Sequence, residues 1–163
     1  MFRKMRRFKQ QLTEDEAVKI LKNCKSGVLA VNGDDGYPYT VPLNFVYTDS
    51  KIYFHCAKSG HKLDAIKNNS KVSFCVIAED KVDSEKLTTL FKSVIIFGKA
   101  KIMENEAEIK SAMTAFGLKY SNDINAVEKE IQREWNGLCC VKIEIEHITG
   151  KQAIELLRSK GTL

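Results

Sequence analysis

The sequence predicts an α+β domain, mainly β with flanking helices, in which an antiparallel sheet closes as a barrel. Three observations predict it. Apolar segments with strand periodicity follow one another through tight turns, Asn32-Gly33-Asp34-Asp35-Gly36 and Thr48-Asp49-Ser50 among them, as hairpins require. Helical periodicity is confined to the start, one short insertion and a late pair of segments. A length of 163 residues suits one core, so a single domain is expected over 1–163, with residues 1–12 as a basic N-terminal arm.

Thr13-Glu14-Asp15-Glu16 is a capping box, and Ala17, Ile20, Leu21 and Cys24 follow at helical spacing until Lys25-Ser26-Gly27 stops the helix. Val28 to Val31 reads as a strand. A longer strand is expected from about Tyr37 to Tyr47, bulged, interrupted or at an edge because Pro38 and Pro42 cannot donate to a ladder. Ile52 to His55 is the next strand, and a short helix from His61 buries Leu63 and Ile66 before Asn68-Asn69 closes it. Val72 to Ile77 is again a strand. Residues 79–89 are charged and aperiodic, which reads as a loop or a short irregular helix. A strand from about Lys92 to Met103 carries Gly98 as a bulge or bend. Asn105 and Glu108 cap a helix bearing Ile109, Ala112, Met113, Phe116 and Tyr120, and a second helix runs from about Ile124 to Trp135. In the last strand Cys139, Val141, Ile143 and Ile145 face one way and Lys142, Glu144 and Glu146 the other. A short amphipathic segment, Ala153 to Leu157, follows.

The composition, 44% hydrophobic and 29% charged, is that of a globular domain. No apolar run approaches the roughly 20 residues of a membrane span, and no apolar stretch follows the basic start as a secretory signal requires. A cytoplasmic protein without membrane contact is expected. The net charge of +5 resides in Arg3, Lys4, Arg6, Arg7 and Lys9; without them the basic residues equal the 21 acidic ones. Such an arm can bind nucleic acid, but the body has no basic stripe, so it reads as a solvated or subunit-crossing tail. Cys24, Cys56, Cys75, Cys139 and Cys140 contain no C-x-x-C and mostly fall on apolar faces, as reduced core cysteines do. His55, Cys56 and His61 lack a recognised zinc spacing, and no metal is expected.

The segment Tyr53-Phe54-His55-Cys56-Ala57-Lys58-Ser59-Gly60-His61-Lys62 carries the clearest chemistry. A strand runs into a small-residue turn, and a basic pair opens a helix. Unpaired amides and the helix dipole favour an anion there, whereas cations in a first turn are otherwise unfavourable. His61 and Lys62 are therefore explained by a bound phosphate, or else as solvated groups at a strand–helix junction. No Gly-x-Gly-x-x-Gly for a dinucleotide is present.

Tyr39-Thr40-Val41-Pro42-Leu43-Asn44, Tyr53 to Lys62, and Ser93-Val94-Ile95-Ile96-Phe97-Gly98-Lys99-Ala100 together resemble, in order and spacing, the pyridoxamine 5'-phosphate oxidase-like flavoproteins, which share an FMN-binding split β-barrel. Arg6-Arg7, Gly27-Val28-Leu29, Pro42-Leu43-Asn44-Phe45, Phe54-His55, Gly60-His61-Lys62 and Thr149-Gly150-Lys151 are similar to the Nim, or nitroimidazole-resistance, branch. The resemblance implies FMN as cofactor and a homodimer with the FMN sites at its interface. It implies that Thr40, Val41, Pro42, Leu43 and Asn44 run along the flavin with backbone contacts, that His55 and Cys56 lie near the ribityl chain and ring, and that His61 and Lys62 hold the phosphate. His61 departs from the usual Arg and is fully charged only when protonated. Ser93 stands where the oxidases often carry Gln. The oxidases also close with a C-terminal segment carrying Trp and Arg; the tail from His147 has Arg158 and no Trp, so pyridoxamine-phosphate oxidation itself is not expected. The expectation is an oxidoreductase that passes electrons from a small-molecule donor to a planar acceptor, nitroaromatic, nitroimidazole or quinone-like. His55 is the candidate catalytic group, either protonating or orienting the acceptor or only hydrogen-bonding nearby. The alternative is a non-catalytic flavin- or haem-binding carrier or sensor.

Overall fold

The computed structural model describes residues Met1–Ser159, and the remainder of the domain expected over 1–163 lies outside them. Its elements, in chain order, are β1 (Gln11–Leu12), α1 (Glu14–Asn23), β2 (Ser26–Asn32), β3 (Pro38–Asn44), β4 (Val46–Thr48), β5 (Lys51–Ala57), α2 (His61–Asn68), β6 (Lys71–Asp83), β7 (Thr88–Ile102), α3 (Glu106–Tyr120), α4 (Ile124–Glu134), β8 (Leu138–Gln152) and α5 (Ile154–Ser159).

The capping box forms as read: the Glu16 amide donates to the Thr13 hydroxyl, and the Thr13 amide donates to the Glu16 carboxylate at 2.9 Å. All strand pairs are antiparallel, in the order β3-β2-β6-β7-β8-β5-β4, with β1 beside β8. The two ends of this order, β3 and β4, are separated in the chain by Phe45 alone. Two peptide steps reach about 7 Å. The sheet therefore has to curl until its ends meet, which makes a barrel split between β3 and β4.

Alternation places Leu29, Phe74, Val76, Val94, Ile96, Val141 and Ile143 inside the barrel, each fully buried. Leu21 of α1 and Leu63 and Ile66 of α2 join that core, so these two helices complete its walls. A second cluster lies on the outer side of β4, β5 and β8, where Val46, Tyr53 and Cys140 meet Met113 of α3. Gly98 is the bend expected of it. The β7–β8 register shifts between Phe97 and Gly98, and a Cβ on Gly98 would lie 2.3 Å from the Glu144 carbonyl oxygen, so only glycine lets the two backbones approach.

Three expectations need correction. Residues 79–89 are not a loop or irregular helix: β6 and β7 continue as a two-stranded ribbon paired from Glu79–Lys92 to Asp83–Thr88. Beyond Gln152, β8 no longer accompanies it; apart from the contacts of Ala153 with Phe91 and Glu155 with Thr88 the ribbon is largely exposed, and the apolar alternation disappears. The strand expected from about Tyr37 to Tyr47, at an edge, bulged or interrupted at its prolines, is divided instead at Phe45, because that residue crosses the split. Its edge placement holds. The last strand runs on to Gln152, and the end of the arm enters the sheet as β1, with the Phe2 ring stacked on His147 at 4.7 Å. Among the described residues no helix is long and apolar enough to cross a membrane.

Candidate functional site

The outer edge of β3 is the first part of the site. The Gly33 amide donates to the Tyr37 carbonyl at 2.9 Å, which makes 33–37 a hydrogen-bonded pair of the β2–β3 hairpin. Counting on, Tyr39, Val41 and Leu43 bond to β2, while the backbone groups of Thr40, Pro42 and Asn44 face the open edge. The prolines thus sit where no donor is needed, and the free amides of Thr40 and Asn44 and three carbonyls remain available to a planar polar molecule. The side chains of Val41 and Leu43 turn inward against the core.

The second part is the start of α2. Side chains cap α1 (Thr13), α3 (Asn105) and α4 (Asp123), but α2 begins at Gly60 with no side-chain cap. Gly60 has φ +130°, and a Cβ there would meet nothing within 4 Å. An uncapped, open helix start with a lysine in its first turn fits a phosphate. Lys62 has no carboxylate partner among the described residues. His61 is turned toward the β2–β3 turn instead: its Nε2 lies 3.5 Å from the Asp34 carboxylate and its ring stacks on Tyr39 at 4.2 Å. This anchors the helix to the hairpin and turns the imidazole toward Asp34, so Lys62 is the side chain of the pair left for an anion.

The third part was not legible as a site. The α3–α4 hairpin, packed on β4, β5 and β8 through Met113, borders an open cavity of about 780 Å³, lined by Asn44, His55, Phe116, Tyr120, Val127 and Glu134 among others. Two expected residues, Asn44 from the β3 edge and His55 from β5, meet there. Phe116 and Tyr120 have the spacing of one helix face, which sequence periodicity reads as core. The His55 ring meets Phe116 edge-on at 4.8 Å. Burial holds the His55 imidazole below its ordinary 6.5, with the Glu134 carboxylate opposing that shift. His55 is therefore mostly neutral at pH 7, able to accept on one ring nitrogen and donate from the other, with the imidazolium as its minor form.

Because the folded state refuses a proton that the unfolded chain takes, the stability associated with His55 is present above 6.5 and is lost as pH falls through the window below it. Proton NMR titration should place its midpoint under 6.5, and Glu134→Gln should lower it further. A midpoint at or above 6.5 would contradict the burial argument.

The remaining expected residues lie apart from these. Cys56 points into the barrel and pairs with Cys139 across β5 and β8. Ser93 lies on the outer face of β7, alternating with buried Val94, in line with exposed Ile95 and Phe97. That outer face is continuous across strands: Pro42, Val28, Cys75, Ile95 and Thr149 are successive register partners. His55, Cys56 and His61 point in three directions.

A family model described as pyridoxamine 5'-phosphate oxidase matches residues 13–152. No curated protein sequence matches. Among solved structures, a candidate 5-nitroimidazole antibiotic resistance protein from Bacteroides thetaiotaomicron is similar with a TM-score of 0.72 and 20% identity, over 87% of this chain and 86% of that one. An FAD-binding protein from Mesorhizobium loti has a TM-score of 0.64 and 24% identity, over 88% and 96%. An FAD- and haem-binding protein from Mycobacterium smegmatis has a TM-score of 0.68 and 16% identity, over 92% and 80%.

Proposed function

The chain belongs to the pyridoxamine 5'-phosphate oxidase family, and we propose that it is an FMN-binding oxidoreductase that reduces a small planar acceptor of nitroaromatic, nitroimidazole or quinone-like type. The observation that carries this reading is the junction of the open β3 edge with the α3–α4 cavity at Asn44, with His55 on the cavity wall. FMN, when bound, supplies two-electron redox chemistry. The residues supply the rest. Lys62 and the free amides at the α2 start bind the phosphate. The edge groups of Thr40, Pro42 and Asn44 hydrogen-bond a polar heteroaromatic rim. Phe116 and its apolar neighbours exclude water, and His55, as the imidazolium, gives its proton to the acceptor and is left neutral.

One uncapped helix start supports a single phosphate, hence FMN over FAD. Chromatography of the cofactor released from purified protein should give FMN; FAD would overturn that part and leave a flavoprotein. Lys62→Ala should weaken FMN binding by about 10- to 150-fold, from the ~1.5–3 kcal/mol of a charge-assisted contact. Unchanged affinity would remove Lys62 from the phosphate site.

The outer face, where Ile77, Ile95 and Phe97 remain exposed by 60%, 41% and 41% beside the Phe2 ring stacked on Phe97 at 5.6 Å, supports a second copy of the chain as partner. Light scattering should give twice 18.5 kDa at micromolar concentration, and a clean monomer would contradict the dimer. All five thiols are free, which suits a reducing cytoplasm.

A further inference from the structure

Cys56 and Cys139 stand directly opposite each other in the β5–β8 ladder. The neighbouring Cys140 carbonyl accepts from the Met103 amide at 2.9 Å, so the backbone groups of Cys140 face β7 and those of Cys139 face β5. Cys56 and Cys139 are therefore a hydrogen-bonded pair, whose Cα atoms lie about 5.5 Å apart in such ladders, inside the usual disulfide range. Both side chains lie on the inner face of the sheet, and each thiol shifts the titration of the other. Both side chains are half-buried at the rim of the main core, and Lys58, Lys62 and Lys67 all bias Cys139 toward its thiolate. Cys140 is no competitor. It is buried on the opposite face, against α3, and its thiol is pushed up to about 12.

We propose that Cys56 and Cys139 form a redox-active dithiol that a hydroperoxide closes to a disulfide. The Cys139 thiolate attacks the peroxide oxygen. The O–O bond breaks, the alcohol leaves with a proton, and Cys139 carries a sulfenic acid. The Cys56 sulfur then displaces the hydroxyl, which departs as water with the Cys56 proton. Two thiols are oxidised by two electrons, and one hydroperoxide is reduced to alcohol and water. Burial holds both thiols above their ordinary range and the lysines oppose it, so the step is slow at neutral pH and faster in mild alkali. The bridge ties the end of β5 to the start of β8 immediately before the turn that carries Lys58 to α2.

The test uses full-length protein, freed of reductant and treated with hydrogen peroxide. It is then acid-quenched, alkylated and mapped by mass spectrometry. The expected result is a fall from five alkylatable thiols to three, a Cys56–Cys139 linked peptide, recovery with dithiothreitol, and a rate that rises from about pH 7 to about pH 9 as the thiolate fraction grows. Cys56→Ser and Cys139→Ser should abolish the link, and Cys140→Ser should keep it. Five thiols still alkylatable, links between chains, or sulfinic acid without a bridge would overturn the proposal. Should a serine variant fail to fold, the wild-type peptide map decides alone.

Discussion

Replacing His55 by Gln is expected to leave flavin bound and to slow acceptor reduction by about 10²–10⁴-fold, the range for loss of a general acid. Glutamine can still donate a hydrogen bond from the end of β5, but it cannot give up a proton. His55 is suited to the task by its place on the cavity wall, edge-on to Phe116, and by burial that makes its imidazolium a stronger acid than an ordinary histidine. The diagnostic is a loss in kcat with KM little changed, because the proton moves only in the transition state. A loss of merely a few-fold would reduce His55 to a positioning residue. Absence of turnover in the wild type with any nitroaromatic, quinone or flavin acceptor under anaerobic conditions would favour the carrier or sensor reading.

Phe45→Ala is expected to cost about 3–5 kcal/mol of stability, as for other fully buried aromatic truncations. Phe45 is 0% exposed and meets Phe74 edge-on at 5.1 Å. Its backbone is held as firmly as its ring. The amide donates to the Tyr120 hydroxyl at 3.1 Å, and the Lys119 ammonium donates to its carbonyl at 2.9 Å while lying 3.8 Å over the ring. Burial drags the Lys119 pKa down to about 8, so this cation is kept in place by the carbonyl and the ring rather than by a carboxylate. Truncating the ring leaves a cavity and strands that charge at the point where the sheet's two ends meet. Urea denaturation should show the loss as a lower midpoint at unchanged slope. A change under about 1 kcal/mol would mean that the split is held elsewhere.

How far the sequence could be read follows from what each segment faces. The α1 capping box, the bend at Gly98 and the short helix at His61 were legible because each is set by local chemistry: a side-chain cap, a missing Cβ, a turn into a helix. The interior alternation of β2, β6 and β7 was legible because one face is buried. The ribbon beyond Ile77 was not, since most of it is exposed and little apolar surface is buried there. The phosphate-type helix start could be named from Gly60-His61-Lys62. The engagement of His61 with Asp34 and Tyr39 could not, because it depends on how a hairpin turn comes to rest against a helix. The cavity was illegible for a related reason: Phe116, Val127 and Ile131 carry core periodicity, and only the way α3 and α4 pack with the sheet decides that they line a space.

The placement of β5 between β4 and β8 has a consequence for the order in which the chain can assemble. The β4–β5 hairpin can form as soon as it is synthesised, yet its lasting neighbour is β8, whose pairing joins His55 to Cys140. Until that late strand arrives, β5 and β7 both present unpaired edges, and two half-built sheets of the same chain can find each other or a second copy. Contacts of such long sequence separation slow folding. The nascent protein thus spends the interval before β8 emerges in its most aggregation-prone form, and interruption anywhere in α3 or α4 would leave it there.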